Sequence, residues 1–344
     1  MKQYGVLIVD DSAFMRRAIG LLFEQDPQFY VVGIARNGEE AVEKAARFKP
    51  DVITMDIEMP EVDGIAALEQ IMLRTPCPVV MLSTQTGEGT VASLRALELG
   101  AVDFFLKSTL LQDPVSPDHI REFLQRVKAA ASARLPNAEM KPVSLPPKPV
   151  PSVKSGSIDL VVIGTSTGGP SALQTILPRF PADFSAAVIV VQHMPPGFTK
   201  PLADRFDGFC QLSVKEAEEG DVVKPGIIYI APAGFQTVIA KAGIGRYVLH
   251  LESESDKLYK PSVDVTLASA AVHYGDRLLT AVLTGMGNDG LEGCQDVKAN
   301  KGHVLVEAEC SCIVYGMPKV VFEAGLADQQ AALPQMYDLI RLYV

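Results

Sequence analysis

A run of prolines near the middle limits what this chain can fold into more than any other feature. Pro136, Pro142, Pro146, Pro147, Pro149 and Pro151 all fall between Ser132 and Ser157. Each removes a backbone donor and clashes inside a helix, and none suits a central strand. The stretch reads as a semi-extended tether, with a docking motif for a proline-binding partner as the alternative reading. No single core runs across such a segment. The 344 residues therefore divide into units expected at residues 1–131 and 158–344, joined by a linker at 132–157.

Before the linker, apolar strands alternate with amphipathic stretches. Strands are expected at Val6–Val9, Tyr30–Ala35, Asp51–Met55, Val79–Leu82 and Val102–Leu106. Helices are expected near Ala13–Glu24, Glu39–Phe48, Ile65–Leu73, Val91–Leu99 and Asp118–Ala131. Strict alternation predicts a five-stranded parallel sheet of flavodoxin-like type, whose crevice lies beyond the carboxyl ends of the strands. Those ends carry Asp10 and Asp11, Asp56, Ser83 and Lys107. A lone aspartate there is most often a turn or cap residue. Three carboxylates converging on one point repel each other unless a cation joins them, and hard oxygen ligands suit Mg²⁺.

This set, with the Met59-Pro60 turn, resembles a response-regulator receiver domain. The resemblance implies that a histidine kinase transfers a phosphoryl group to Asp56. It implies Mg²⁺ held by Asp10, Asp11, Asp56 and the backbone carbonyl near Glu58, with Ser83 and Lys107 binding the new phosphate. Phe104 stands where the family often has a switching aromatic.

After the linker the chain reads I-D-L-V-V-I-G-T-S-T-G-G-P from Ile158 to Pro170. Ile158–Ile163 is expected to be a buried strand broken by Gly164, with Ser166 at the apex of a turn into a helix. Backbone N–H groups there, near a helix N-terminus, suit an oxyanion or a phosphate equally. Two further strands, Ala186–Val191 and Leu278–Leu283, end in Q-H-M-P-P-G and T-G-M-G-N-D-G. The sheet should be doubly wound and mostly parallel, with an antiparallel insertion around residues 227–251. Ser166, His193 and Asp289 then share one sheet edge, where a base can take the hydroxyl proton and an acid can orient the imidazole. Individually, the serine reads as a turn residue and Asp289 as a cap for the following helix.

Two motifs point elsewhere. Gly164–Gly168 satisfies G-x-S-x-G, but the order Ser, His, Asp is not the Ser, acid, His order of α/β-hydrolases. Gly285–Gly290 satisfies G-x-G-x-x-G, with Glu307 as a loose match to the acid a dinucleotide would need. The stretches I-G-T-S-T-G-G-P-S-A-L, V-V-Q-H-M-P, Y-I-A-P, L-T-G-M-G-N-D-G and Y-G-M-P-K resemble the catalytic domain of chemotaxis protein-glutamate methylesterases. That resemblance implies hydrolysis of glutamyl γ-methyl esters on methylated chemoreceptors and deamidation of receptor glutamines. It implies Ser166 as nucleophile, His193 as base, Asp289 as orienting acid, and backbone N–H groups near Thr167 and Met286 as the oxyanion site. No cofactor is expected for the ester reaction. Thr165 and Asn288 depart from the family, which usually has alanine at both positions. The rivals are a receiver joined to a non-catalytic binding domain and a nucleotide-binding domain.

Composition bounds the remaining classes. A formal charge of −10 argues against nucleic acid and anionic membranes as partners, and no basic recognition helix follows the linker. The five cysteines show neither metal spacing nor a disulfide framework. With no signal peptide and no membrane-length apolar run, a cytoplasmic location is expected.

Overall fold

The computed structural model describes residues 2–84, 87–110, 116–135 and 158–344. The chain forms two compact units, Met1–Leu135 and Pro136–Val344. From residue 136 onward the proline-rich stretch lies outside the described residues.

In the first unit the elements are β1 (Tyr4–Val9), α1 (Ala13–Phe23), β2 (Phe29–Ala35), α2 (Gly38–Phe48), β3 (Val52–Asp56), α3 (Gly64–Arg74), β4 (Val79–Ser83), α4 (Gly87–Glu98), β5 (Asp103–Leu106), a one-turn α5 (Lys107–Leu110) and α6 (Pro117–Ala131). The sheet order is β2-β1-β3-β4-β5, parallel throughout. Short polar side chains start the helices. Ser12 accepts from the Met15 N–H, Asn37 from Glu40 and Asp63 from Ala66, each satisfying a donor the first turn cannot. The central strands β1, β3 and β4 are buried along their whole length, as expected for a sheet covered on both faces.

The second unit comprises β6 (Leu160–Thr165), α7 (Gly169–Ile176), β7 (Ala187–Gln192), α8 (Thr199–Asp207), β8 (Ser213–Glu216), β9 (Ile227–Ile230), β10 (Gln236–Gly243), β11 (Arg246–Glu252), α9 (Val263–Tyr274), β12 (Leu278–Val282), α10 (Leu291–Ala299), β13 (His303–Glu307), α11 (Met317–Glu323), β14 (Gln329–Ala331) and α12 (Leu333–Tyr343). Seven parallel strands run in the order β14-β13-β12-β6-β7-β9-β8. The antiparallel insertion is smaller than expected: only β10 and β11 form it, and Ile227–Ile230 joins the main sheet beside β7. The amphipathic α8 buries Leu202, Ala203 and Phe206 on one face, and β8 is a short strand at the edge of the sheet.

One expectation is overturned at the strand that carries Ser166. Gly164 does not break β6; it pairs with Val191 on one side and Val282 on the other. A Cβ at Gly164 would lie 2.6 Å from Val263 Cγ1. The glycine is there so that α9 can press against the sheet, and the strand runs on to Thr165.

Candidate active site

β6, β7 and β12 are neighbours, so their carboxyl ends deliver Ser166, His193 and the loop after Leu283 side by side. Thr165 pairs with Gln192, and the His193 N–H donates to the Thr165 carbonyl at 3.1 Å. On the other side, the Ser166 N–H donates to the Thr284 carbonyl at 3.1 Å. Parallel register alone thus puts the hydroxyl and the imidazole on adjacent strand ends.

Asp289 lies 2.7 Å from His193, Oδ2 to Nε2, and both side chains are 6 % exposed. The carboxylate accepts three more hydrogen bonds: from Ser262 Oγ at 2.8 Å, Val263 N–H at 2.7 Å and Asp264 N–H at 3.1 Å. Burial pushes its pKa up, but His193 and these donors outweigh burial and hold it below the ordinary carboxylate range. Asp289 does not cap the helix that follows it; it caps the start of α9. With Nε2–H given to Asp289, the imidazole atom left for base work is Nδ1, which is buried and has no hydrogen-bond partner. Ser166 Oγ and His193 are not hydrogen-bonded to each other here, and a looser contact before substrate binds is ordinary for such pairs. The imidazole stacks on Tyr259, ring centroids 4.1 Å apart and planes 10° apart.

The turn after Ser166 is braced by a residue that the sequence did not single out. Gln192, 2 % exposed, donates through Nε2 to the carbonyls of Ser166 at 3.0 Å and His193 at 2.9 Å. The Gly169 N–H also donates to the Ser166 carbonyl, at 2.8 Å. Because a trans peptide sets C=O and N–H in opposite directions, the Thr167 N–H is turned away from Gln192. Met286 is arranged in the same way. The Gly285 carbonyl accepts from the N–H groups of Gly316 at 3.1 Å and Met317 at 2.9 Å, so the Met286 N–H faces away from α11.

Thr284 ties these pieces together. Its carbonyl also accepts from Thr165 Oγ1, its hydroxyl donates to the Thr167 carbonyl, and its N–H donates to Glu307. Glu307 is fully buried and also takes the Ser311 hydroxyl. That enclosure removes the acid a dinucleotide would have needed. Elsewhere in this unit, His250 bonds to Glu219 at 2.5 Å.

The first unit gathers its own polar set. Oxygens of Asp10, Asp11 and Asp56 all lie within 4.8 Å of one another. Lys107 Nζ is 2.9 Å from Asp10 Oδ2 and 2.6 Å from Asp56 Oδ2. Burial raises Asp56 to about 6, against the lowering effect of Lys107 and with the Asp10 charge adding to it. Burial alone would lower Lys107, but bonds to Asp56 and Asp10 keep it raised. The Glu58 N–H lies 3.4 Å from Asp56 Oδ1. Ser83 is at the expected strand end, yet its buried hydroxyl is turned to α4, donating to the Gly89 carbonyl at 3.2 Å and accepting from Ser93 at 2.8 Å. Phe104 is 2 % exposed, packed inward.

Comparisons with known proteins agree with this division. The family described as CheB methylesterase matches residues 161–340, and the response regulator receiver domain family matches residues 6–116. A protein-glutamate methylesterase/protein-glutamine glutaminase of Thermotoga maritima is 47% identical, over 94% of this chain and 93% of that protein. One from Oleidesulfovibrio alaskensis is 43% identical, over 97% and 98% respectively. Among solved structures, the catalytic domain of the Thermotoga maritima CheB methylesterase superposes with a TM-score of 0.53 at 46% identity, covering 54% of this chain and 99% of that one. A receiver unit and a methylesterase unit in one chain, similar to these relatives nearly end to end, mean that the chain belongs to the CheB protein-glutamate methylesterase family.

Proposed function

We propose that the chain hydrolyses glutamyl γ-methyl esters on methylated chemoreceptors, with Ser166 as nucleophile. His193 Nδ1 takes the hydroxyl proton as Ser166 Oγ forms a bond to the ester carbonyl carbon. The resulting oxyanion is received by the N–H groups of Thr167 and Met286. The C–O bond to methoxide breaks, His193 returns the proton, and methanol leaves. Water, deprotonated by the same nitrogen, cleaves the acyl-enzyme to release glutamate and restore Ser166. Asp289 stays ionised throughout and stabilises the imidazolium. A receptor glutamine carboxamide fits the same steps, with ammonia leaving. The observation that carries this reading is the Nε2–Oδ2 bond of 2.7 Å, which leaves Nδ1 as the proton acceptor. Ser166→Ala is expected to abolish methanol release from methylated receptor membranes while Asp56 still accepts phosphate; retained release would exclude the assignment.

In the first unit the clustered carboxylates fit a divalent cation, since oxygens this close need positive charge between them. Asp10, Asp11, Asp56 and the Glu58 carbonyl would hold Mg²⁺, which supplies charge neutralisation during phosphoryl transfer from a histidine kinase to Asp56. Lys107 and Ser83 would bind the phosphate, Ser83 only after its hydroxyl leaves Gly89. Phosphorylation of Asp56 then activates the esterase. A fragment beginning near Ser157 should outpace the unphosphorylated full chain in methanol release; equal rates would remove restraint by the receiver from the scheme. Among the described residues no helix is long and apolar enough to cross a membrane.

A further inference from the structure

Two helices start facing each other behind the His193–Asp289 pair, and each supplies the acid that caps the other. Asp289, which precedes α10, accepts from the N–H groups of Val263 and Asp264 in the first turn of α9. Asp264, in that first turn, accepts through Oδ1 from the Gly290 N–H at 2.9 Å and the Gly293 N–H at 2.7 Å at the start of α10. The exchange is possible because the helices approach closely: a Cβ at Gly293 would lie 2.9 Å from Asp264 Cα. Gly290, at φ +99°, would place a Cβ 3.2 Å from Val263 Cγ1.

We propose that Asp264 is a positioning residue of the ester reaction, holding the residue after Asp289 against α9 so that Oδ2 meets His193 Nε2. The proposal rests on the reading of Ser166, His193 and Asp289 given above. The Gly290 N–H is one peptide from the Asp289 backbone. Losing its acceptor frees the loop to move relative to α9, and with it the carboxylate that orients the base. Asp264 also carries a like charge beside Asp289. Burial raises its pKa, as does the Asp289 charge, whereas the Gly293 N–H opposes the rise. The other charged or titratable groups facing this pair are His193, Lys257, which is paired with Glu292, and Cys294.

The test compares D264A, D264N and S166A in the full chain by methanol release across pH. D264A removes the acceptor and should lower kcat on the order of 10- to 100-fold, with KM little changed because the residue lies behind the site. D264N keeps an acceptor oxygen for Gly290 and Gly293 while removing the charge. It should recover most of the lost kcat and move the acid limb of kcat/KM to lower pH, an effect that a merely structural role would not produce. Wild-type kcat in D264A, or D264N as slow as D264A, overturns the proposal. If D264A does not fold, D264N decides alone: retained kcat with a shifted limb supports the coupling, and an unmoved limb or collapsed kcat refutes it. Activity surviving in S166A would instead overturn the underlying assignment, whatever Asp264 does.

Discussion

Asp56 and Asp289 occupy comparable places: each is a buried aspartate at the carboxyl edge of a parallel sheet, next to one basic side chain. Their charge states are pushed in opposite directions. Asp56 has Lys107 at 2.6 Å but, among the described residues, one long backbone contact, from Glu58, and shares its pocket with Asp10; burial wins and its pKa rises to about 6. Asp289 has His193 and three further donors from the start of α9, and these outweigh the same burial. Burial therefore does not decide the behaviour of a carboxylate; the count of donors aimed at it does. The difference suits the chemistry proposed for each. A carboxylate short of donors is ready for a cation and a phosphoryl group, whereas one saturated with donors stays ionised while a neighbouring imidazole gains and loses a proton.

Removing the charge on the saturated side should have the largest effect. Asp289→Asn keeps the shape but presents an amide where the imidazole needs an acceptor, and should lower kcat by about 10⁴-fold in the methanol assay. On the unsaturated side, Lys107→Ala leaves two buried carboxylates unpaired and should destabilise the first unit by about 3 kcal/mol in urea titrations without divalent cation. Added Mg²⁺ should restore part of that loss.

Asp56→Asn should have the opposite sign. Because its folded pKa lies above the unfolded value, Asp56 costs no stability below about pH 4; its cost grows as pH rises towards 6 and is complete above that. The amide should therefore stabilise the unit by about 1–2 kcal/mol at neutral pH while abolishing phosphorylation. A destabilised Asp56→Asn would show that Lys107 compensates burial more fully than the contrast supposes.

Glu307 sharpens the contrast from within the second unit: burial there pushes it up to about 7 against donors from Thr284, Ser311 and the Cys312 thiol. Its folded pKa exceeds its unfolded value near 4.5, so its contribution to stability falls as pH rises between those values. Glu307→Gln should flatten that decline in the urea midpoint of the second unit; an unchanged slope would mean that other groups set it.

Much of the molecule was legible in local sequence. The four strand ends bearing Asp10, Asp56, Ser83 and Lys107, and the three bearing Ser166, His193 and Asp289, follow from apolar runs stopped by polar residues. Those signals are local, because a parallel sheet puts every strand's carboxyl end on one edge. Gln192 was passed over because a glutamine closing an apolar strand gives no local sign of bracing the next turn. Ser83 was read as facing a phosphate, and whether its hydroxyl meets Asp56 or Gly89 depends on where α4 sits.

By itself, then, the sequence determined two α/β units and which side chains reach each sheet edge. The tertiary structure decided how those side chains are electrostatically disposed. It made Gly164 a point of contact for Val263 instead of a strand end, exchanged Asp264 and Asp289 between the starts of α9 and α10, and left Nδ1 of His193 without a hydrogen-bond partner. Periodicity follows from neighbours along the chain, whereas donor counts and ring orientation arise between segments dozens of residues apart, where only packing brings them together.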